Sequence, residues 1–209
     1  MNLRSSLRIL LVAVFLCAIT RHSPADEAFT EATVQFEGGL SYGVYLGDHV
    51  NEIPTPYGVG AHAKAGYTFE LPLYVGGEFT HFFGARQPIP GHQDVEGALS
   101  ITHFGAEAGY DFGLGSSVVA RPKVGLGAAT VVAEETVEGI TGQISETGLA
   151  MTAGLQGILG LKPWLVTAEV RYTSLSIDTE SLRQIPNLDV EDDVRLDGLL
   201  MGVGVGVAF

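Results

Sequence analysis

Hydrophobic and polar positions alternate with period two along most of this chain, most completely from Leu199 to Phe209. There Leu199, Met201, Val203, Val205, Val207 and Phe209 fall on one face, and Leu200, Gly202, Gly204, Gly206 and Ala208 on the other. Successive side chains of a strand point to opposite sides of its sheet, so this segment has one broad apolar face and one nearly bare face. A soluble sheet would carry polar groups on the second face. A row of glycines instead suits the crowded inner wall of a narrow barrel whose valine face is turned to lipid.

Seven earlier segments read the same way, each long enough for a tilted membrane strand. Residues 33–46 put Val34, Phe36, Leu40, Tyr42, Val44 and Leu46 outward over Gln35, Glu37, Ser41 and Tyr45. Residues 57–69 put Tyr57, Val59, Ala61, Ala63, Ala65, Tyr67 and Phe69 outward, with His62 and Lys64 inside. Residues 71–83 turn Leu73, Val75, Phe79, His81 and Phe83 out and Tyr74, Glu78 and Thr80 in. Residues 98–112 turn Phe104, Ala106, Ala108, Tyr110 and Phe112 out and His103, Glu107 and Asp111 in. Leu99 and Ile101 break that phase and predict a bulge near the rim. Residues 118–132 show Ala120, Pro122, Val124, Leu126 and Ala128 outside and Arg121 and Lys123 inside. A second bulge is expected at Pro122, which lacks a ladder donor. Residues 149–161 expose Met151, Leu155 and Leu159 over Thr152 and Gln156, and residues 164–174 expose Trp164, Val166, Ala168, Val170 and Tyr172 over Thr167, Glu169 and Arg171. The pattern predicts an all-β fold, an eight-stranded antiparallel up-and-down transmembrane β-barrel.

The connections alternate between short (Glu70, residues 113–117 and 162–163) and long (residues 47–56, 84–97, 133–147 and 177–195). Membrane barrels pair short periplasmic turns with long outer loops, and the aromatics sort by the same polarity. Phe36, Tyr67, Phe69, Tyr110, Phe112, Trp164 and Phe209 gather at the periplasmic strand ends, and Tyr42, Tyr57, Phe79, Phe83 and Tyr172 lie toward the outer rim. A soluble lipocalin-like barrel has no reason to sort its aromatics so.

Composition sharpens the address. Arg4 and Arg8, the apolar run 9–19 and Ser23-Pro24-Ala25 predict a signal peptide over residues 1–25, leaving residues 26–209 as the barrel. The apolar run is too short to span a bilayer as a helix, and Leu16 before Cys17 does not fit a lipoprotein signal. Cys17 is the single cysteine, so the processed chain has no thiol chemistry. The full chain has 11 basic and 24 acidic residues, and loss of Arg4, Arg8 and Arg21 leaves 8 basic, a net charge near −16. That balance argues against nucleic-acid binding.

Inside the barrel, Glu37, Glu78, Glu107, Asp111 and Glu169 oppose Lys64, Arg121, Lys123 and Arg171. Buried charge is costly unless paired, and eight strands enclose a space that side chains fill. The near balance predicts a lumen salt-bridge network of Glu37, Lys64, Glu78, Glu107, Arg121, Lys123, Glu169 and Arg171. Such a network either plugs the barrel or, by re-partnering, gates a thin ion path; the sequence leaves both open. Fifteen acids lie in or beside the long connections: Asp48, Glu52, Asp94, Glu96, Glu134, Glu135, Glu138, Glu146, Asp178, Glu180, Asp189, Glu191, Asp192, Asp193 and Asp197. They form a solvated surface or a divalent-cation site, although Asp189-Val190-Glu191-Asp192-Asp193 lacks the spacing of an EF-hand loop.

The stretch Phe36-Glu37-Gly38-Gly39-Leu40-Ser41-Tyr42-Gly43-Val44-Tyr45 and the terminal Val203 to Phe209 resemble the small eight-stranded outer-membrane barrels typified by outer membrane proteins A and X. The resemblance implies a non-enzymatic, structural or loop-displaying monomer in the outer membrane of a Gram-negative bacterium. Outer-membrane lipids and lipopolysaccharide would surround it, and an extracellular ligand could meet its acidic loops. It also implies that Val205, Val207 and Phe209 form the signal read by the barrel-assembly machinery. With the chain ending at Phe209, the peptidoglycan-binding domain of the larger relatives is not expected. Some barrels of this kind modify lipid A, and an esterase needs a nucleophile near a base and an orienting acid. His81 precedes Phe82-Phe83 and His103 precedes Phe104-Gly105, without the His-x-Ser arrangement of such deacylases. His49 and His92 belong to loops, and no metal-ligand spacing links the histidines. No catalytic residue, cofactor or metal is assigned; a lipid A-modifying enzyme and a weak ion channel are the alternatives. On a detergent gel the protein is expected to run as a compact band before boiling and a slower band afterwards, and an unchanged mobility would count against the barrel.

Overall fold

The computed structural model describes residues 32–47, 57–89, 92–137, 140–178 and 193–209. The expected signal peptide, Cys17, His49 and the two acidic segments 48–56 and 179–192 lie outside them. Eight long strands carry the fold: β1 Thr33–Tyr45, β2 Val59–Thr68, β3 Leu73–Phe82, β4 His92–Tyr110, β5 Val118–Val137, β6 Ile140–Leu161, β7 Trp164–Asp178 and β8 Asp193–Ala208. Each pairs antiparallel with the next, and β8 returns to β1, so the sheet is closed. The β1–β8 seam runs from Gln35↔Ala208 to Tyr45↔Gly198, and reciprocal 3.0 Å backbone bonds between Val34 and Phe209 extend it to the last residue.

The register fixes the barrel's shape. A walk across the strands from Gln35 passes Gly66, Gly76, Glu107, Gly125, Thr152, Thr173 and Gly198 and returns to β1 at Tyr45, ten residues higher. That stagger over eight strands tilts them by about 40° and leaves a backbone radius of about 8 Å. Side chains of ordinary size fill such a space. Where large ones meet, the opposing wall is bare: a Cβ on Gly39 would stand 2.7 Å from Gly204 Cα and 2.8 Å from His62 Cε1.

Outward positions are apolar from end to end. Leu40, Val203, Val205, Phe104 and Leu126 are each more than half exposed, a contiguous greasy surface far beyond what soluble monomers show. The band stands about 25 Å tall between its aromatic borders, a height given by strand rise and tilt. Trp164, Phe209, Phe69 and Phe112 ring the end that holds the C-terminus. At the other end outward polar pairs close the band: His81 with Thr102 (2.9 Å), Thr130 with Thr147 (3.2 Å) and Ser174 with Asp197 (2.8 Å).

The lumen is layered. Charged and polar side chains fill its middle. At the end away from the C-terminus, Phe82, Ile101, Ala129, Val131, Ala150, Leu175, Ile177, Leu196 and Leu200 pack with Tyr57 into a buried apolar cluster. A smaller cluster of Val119, Ile158 and Leu165, with Ala208 against it, lies at the opposite end. The strands are therefore apolar on both faces near their ends.

Several expectations change. Tyr57 points inward, only 3 % exposed, because Gly58 adopts φ +125° and reverses the phase before β2 begins. Its ring meets Phe82 edge-on at 5.3 Å and its hydroxyl donates to Leu196 O. Leu99 and Ile101 mark no bulge: β4 pairs with β5 without a register shift, and both side chains belong to the apolar cluster. Pro122 makes no bulge either. The β4–β5 ladder stops at Gly109↔Lys123 and resumes at Phe112↔Ala120 in the same register, so the proline interrupts one short stretch of pairing and inserts nothing. Residues 133–147, expected as a loop, continue β5 and β6 as a paired ribbon out to Val137↔Ile140, with β4 alongside to Val95. Threonine and valine favour extended backbone there, and Thr136 and Thr141 bond across the ribbon at 3.1 Å. Leu175 is fully buried in the cluster. Leu175→Ala is expected to cost about 3 kcal/mol, read as a lower denaturant midpoint for unfolding from lipid vesicles.

Candidate functional site

Inward phase on six strands brings the charged residues together. Nearest the C-terminal end, Arg121 on β5 grips Asp111 through Nε (2.5 Å) and Nη2 (2.9 Å), and Nη2 also reaches Gln35 Oε1 and Thr68 Oγ1. Its guanidinium lies 3.7 Å above the Tyr74 ring. Arg121 is 2 % exposed, and a planar fork that both chelates a carboxylate and stacks on an aromatic is a role lysine cannot fill. The Tyr74 hydroxyl donates to Glu107 Oε1 at 3.0 Å, which links this group to the next.

In the middle layer Lys123 sits between Glu107 (2.6 Å) and Glu169 (2.9 Å). Lys64 donates to Glu169 as well. Arg171 bridges upward, pairing with Glu78, donating to Thr80 Oγ1 at 2.9 Å and standing 3.5 Å from Glu169. Glu37 occupies a separate cradle: His62 Nε2 at 3.1 Å, Gln156 Nε2 at 2.8 Å and Thr167 Oγ1 at 2.8 Å. His62 Nδ1 meets Ser41 Oγ at 2.8 Å. His103 lies directly below the apolar cluster, its Nδ1 3.2 Å from Glu78 Oε1 but not aligned as a hydrogen bond.

The structure thus gathers Lys64, Glu78, Glu107, Lys123, Glu169 and Arg171 into one linked chain. Arg121 joins it through Tyr74, and Glu37 stands beside it, held by neutral donors and His62. Sequence reasoning missed Gln35, Thr68 and Ser41 as partners and the whole apolar cluster above. The signal was present in the inward phase of Phe82, Ile101 and Leu175, each two residues from an inward polar position at Thr80, His103 and Thr173. Among the described residues no group of three His, Asp or Glu side chains could hold a metal. His81 stands on the outer face, bonded to Thr102 and packed edge-on against Phe83 at 5.0 Å.

A family model described as the outer membrane protein beta-barrel domain matches residues 9–209. The chain belongs to that family. Members of the outer membrane protein beta-barrel family sit in the outer membrane, so the C-terminal end with its short turns is the periplasmic one and the ribbon faces outward. Solved structures repeat the fold. Ail, the attachment invasion locus protein of Yersinia pestis, is 19 % identical, with 86 % of this chain and 99 % of that one covered at a TM-score of 0.55. Neisserial surface protein A is 18 % identical, covering 85 % and 97 % at 0.51. A major outer membrane protein of Thermus thermophilus is 13 % identical, covering 84 % and 99 % at 0.55. No curated protein matches.

For this outer membrane β-barrel the paired charges have a measurable signature. Arg121→Met strands Asp111 without its cation and is expected to cost about 3–5 kcal/mol, whereas adding Asp111→Leu restores part of the loss because no buried charge is left alone. Equilibrium unfolding of the two variants checks the order.

Proposed function

We propose that this protein is a non-enzymatic, non-conducting envelope barrel that displays an acidic β-ribbon above the outer membrane. The double closure of its interior carries the reading. Paired charges fill the middle, and Phe82, Leu175 and Leu200, each at most 3 % exposed, fill the outer mouth. An ion entering that mouth would leave water without gaining a polar partner, at a cost of several kcal/mol. The lumen network of Glu37, Lys64, Glu78, Glu107, Arg121, Lys123, Glu169 and Arg171 acts as a plug that fixes strand register. Because the closed sheet leaves no strand edge within the apolar band, a monomer suffices, surrounded by outer-membrane lipid and lipopolysaccharide. Val205 and Phe209, exposed at the seam, together with Val207 would offer the barrel-assembly machinery its recognition strand.

Charge sets the class of outer ligand. Glu96, Glu134, Glu135 and Glu146 stand on or beside the ribbon, against the exposed cations Arg86, 3.9 Å from Glu134, and Arg195 at the same end of the barrel. Ail of Yersinia pestis has been seen with the heparin analogue sucrose octasulfate. A polysulfate would be repelled by the ribbon of the present chain, which suits a cationic extracellular ligand. Single-channel recording in planar bilayers is expected to show no current, and joint replacement of Phe82, Leu175 and Leu200 by serine to open one only when the charged layer is also emptied by Glu78→Ala, Lys123→Ala and Arg171→Ala. Steady current through the unaltered barrel would overturn the plug. Lipid A from cells with and without the gene should carry the same acyl chains, and a changed acylation pattern would favour the enzyme instead.

A further inference from the structure

The lipid-facing surface carries a broad, open depression. A groove of about 750 Å³ crosses β8, β1, β2, β3 and β4, running from the periplasmic girdle at Trp164 past the middle of the apolar band to Phe79 and Phe104. Its floor is built from Gly38, Ala63, Ala65 and Gly77, which lie side by side through the pairs Gly38↔Ala63 and Ala65↔Gly77. Its walls are Phe36, Phe79, Phe104 and Trp164.

The floor glycines serve no packing within the chain. A Cβ on Gly38 would find nothing nearer than His62 O at 3.8 Å, and one on Gly77 nothing nearer than Gly105 O at 3.7 Å. Lumen glycines differ: Gly105 and Gly127 face backbone atoms under 3.0 Å from an added Cβ. The missing side chains at Gly38 and Gly77 therefore make room for something outside the barrel. The groove lies within the bilayer's apolar band, so its occupant is apolar, and it opens toward the periplasmic girdle at Trp164. Two residues before Trp164 stands Lys162, exposed in the β6–β7 turn and the only exposed cation at that end among the described residues.

We propose that this groove retains one acyl chain of an anionic glycerophospholipid from the periplasmic leaflet, with Lys162 beside its phosphate. An extended chain lying between aromatic walls recovers dispersion contacts that a bulk lipid bridging the depression would forfeit. One lysine near an anionic headgroup favours it about fivefold over a neutral one. A second copy of this chain fits poorly: two copies related by a twofold axis would meet concave face to concave face and enclose a void.

Trp164 is the only tryptophan of the chain and lines the groove, so its fluorescence reports the occupant. The full processed protein is reconstituted in phosphatidylcholine vesicles containing a minor fraction of phosphatidylglycerol brominated on its acyl chains. Quenching is expected to exceed that from the same fraction of brominated phosphatidylcholine, corresponding to about fivefold local enrichment. Gly38→Leu with Gly77→Leu should reduce quenching to the level set by bulk mole fraction. Gly157→Leu, an outward glycine equally open (Ala168 O at 3.8 Å) but outside the groove, should leave it unchanged. Lys162→Ala should remove the preference for phosphatidylglycerol while keeping the acyl contact. Heat-modifiable mobility confirms that each variant is folded. Quenching of the unaltered protein at the bulk level, equal loss in the Gly157→Leu control, or a cross-linked dimer that shields Trp164 from both lipids would overturn the proposal.

Discussion

In hydrocarbon every backbone N–H and C=O must find its partner inside the sheet, since each one left open costs several kcal/mol. The β1–β8 seam is where this chain meets that demand. Once Val34 and Phe209 exchange backbone bonds, no strand edge remains inside the apolar band. The ten-residue stagger then sets tilt and radius together. Alternation puts apolar groups out and everything else in. Pro122 shows how narrow the tolerance is: it removes a donor opposite Tyr110, and the ladder resumes beyond it without losing register.

The enclosed volume is solved as two problems. In the middle, charges are taken out of water only in company. Arg171 engages Glu78, Glu169 and Thr80, while Lys123 and Tyr74 serve Glu107 and Lys64 serves Glu169, so each carboxylate of the linked chain has a donor. Above it, the Phe82–Leu200 cluster resembles the core of a soluble protein. The two layers reinforce each other, because excluding water lowers the local dielectric and strengthens the pairs beneath. Bulky members of the network require bare walls opposite, as where Tyr74 lies against Gly66 and Gly76.

The strand count, closure and outward face are legible in the sequence because a period of two is a local property, readable from Val203, Val205 and Val207 without knowing their neighbours. The charged members of the lumen are legible for the same reason. What stays hidden depends on strands meeting. Leu99 and Ile101 look like a broken phase, since only their burial among Val131, Leu175 and Leu196 explains apolar groups on the inner wall. Tyr57 reads as outward because a single backbone angle at Gly58 reverses the phase, and composition does not record angles. Likewise Gln35, Thr68 and Ser41 carry no charge to announce their roles; they matter only by standing next to Arg121 or His62. The acids of residues 133–147 suggest a loop, while the threonines and valines among them keep the backbone extended.

That ribbon inherits the slant of the wall below it. From Thr130 to Val137 it extends about 23 Å, and at about 40° from the membrane normal its tip is carried some 15 Å sideways. The hairpin therefore leans out to one side, like an outrigger, rather than standing over the barrel's own axis. The tip thus lies beside the cylinder, out of line with the filled interior, so the make-up of the ribbon and the packing of the core impose no compromise on each other.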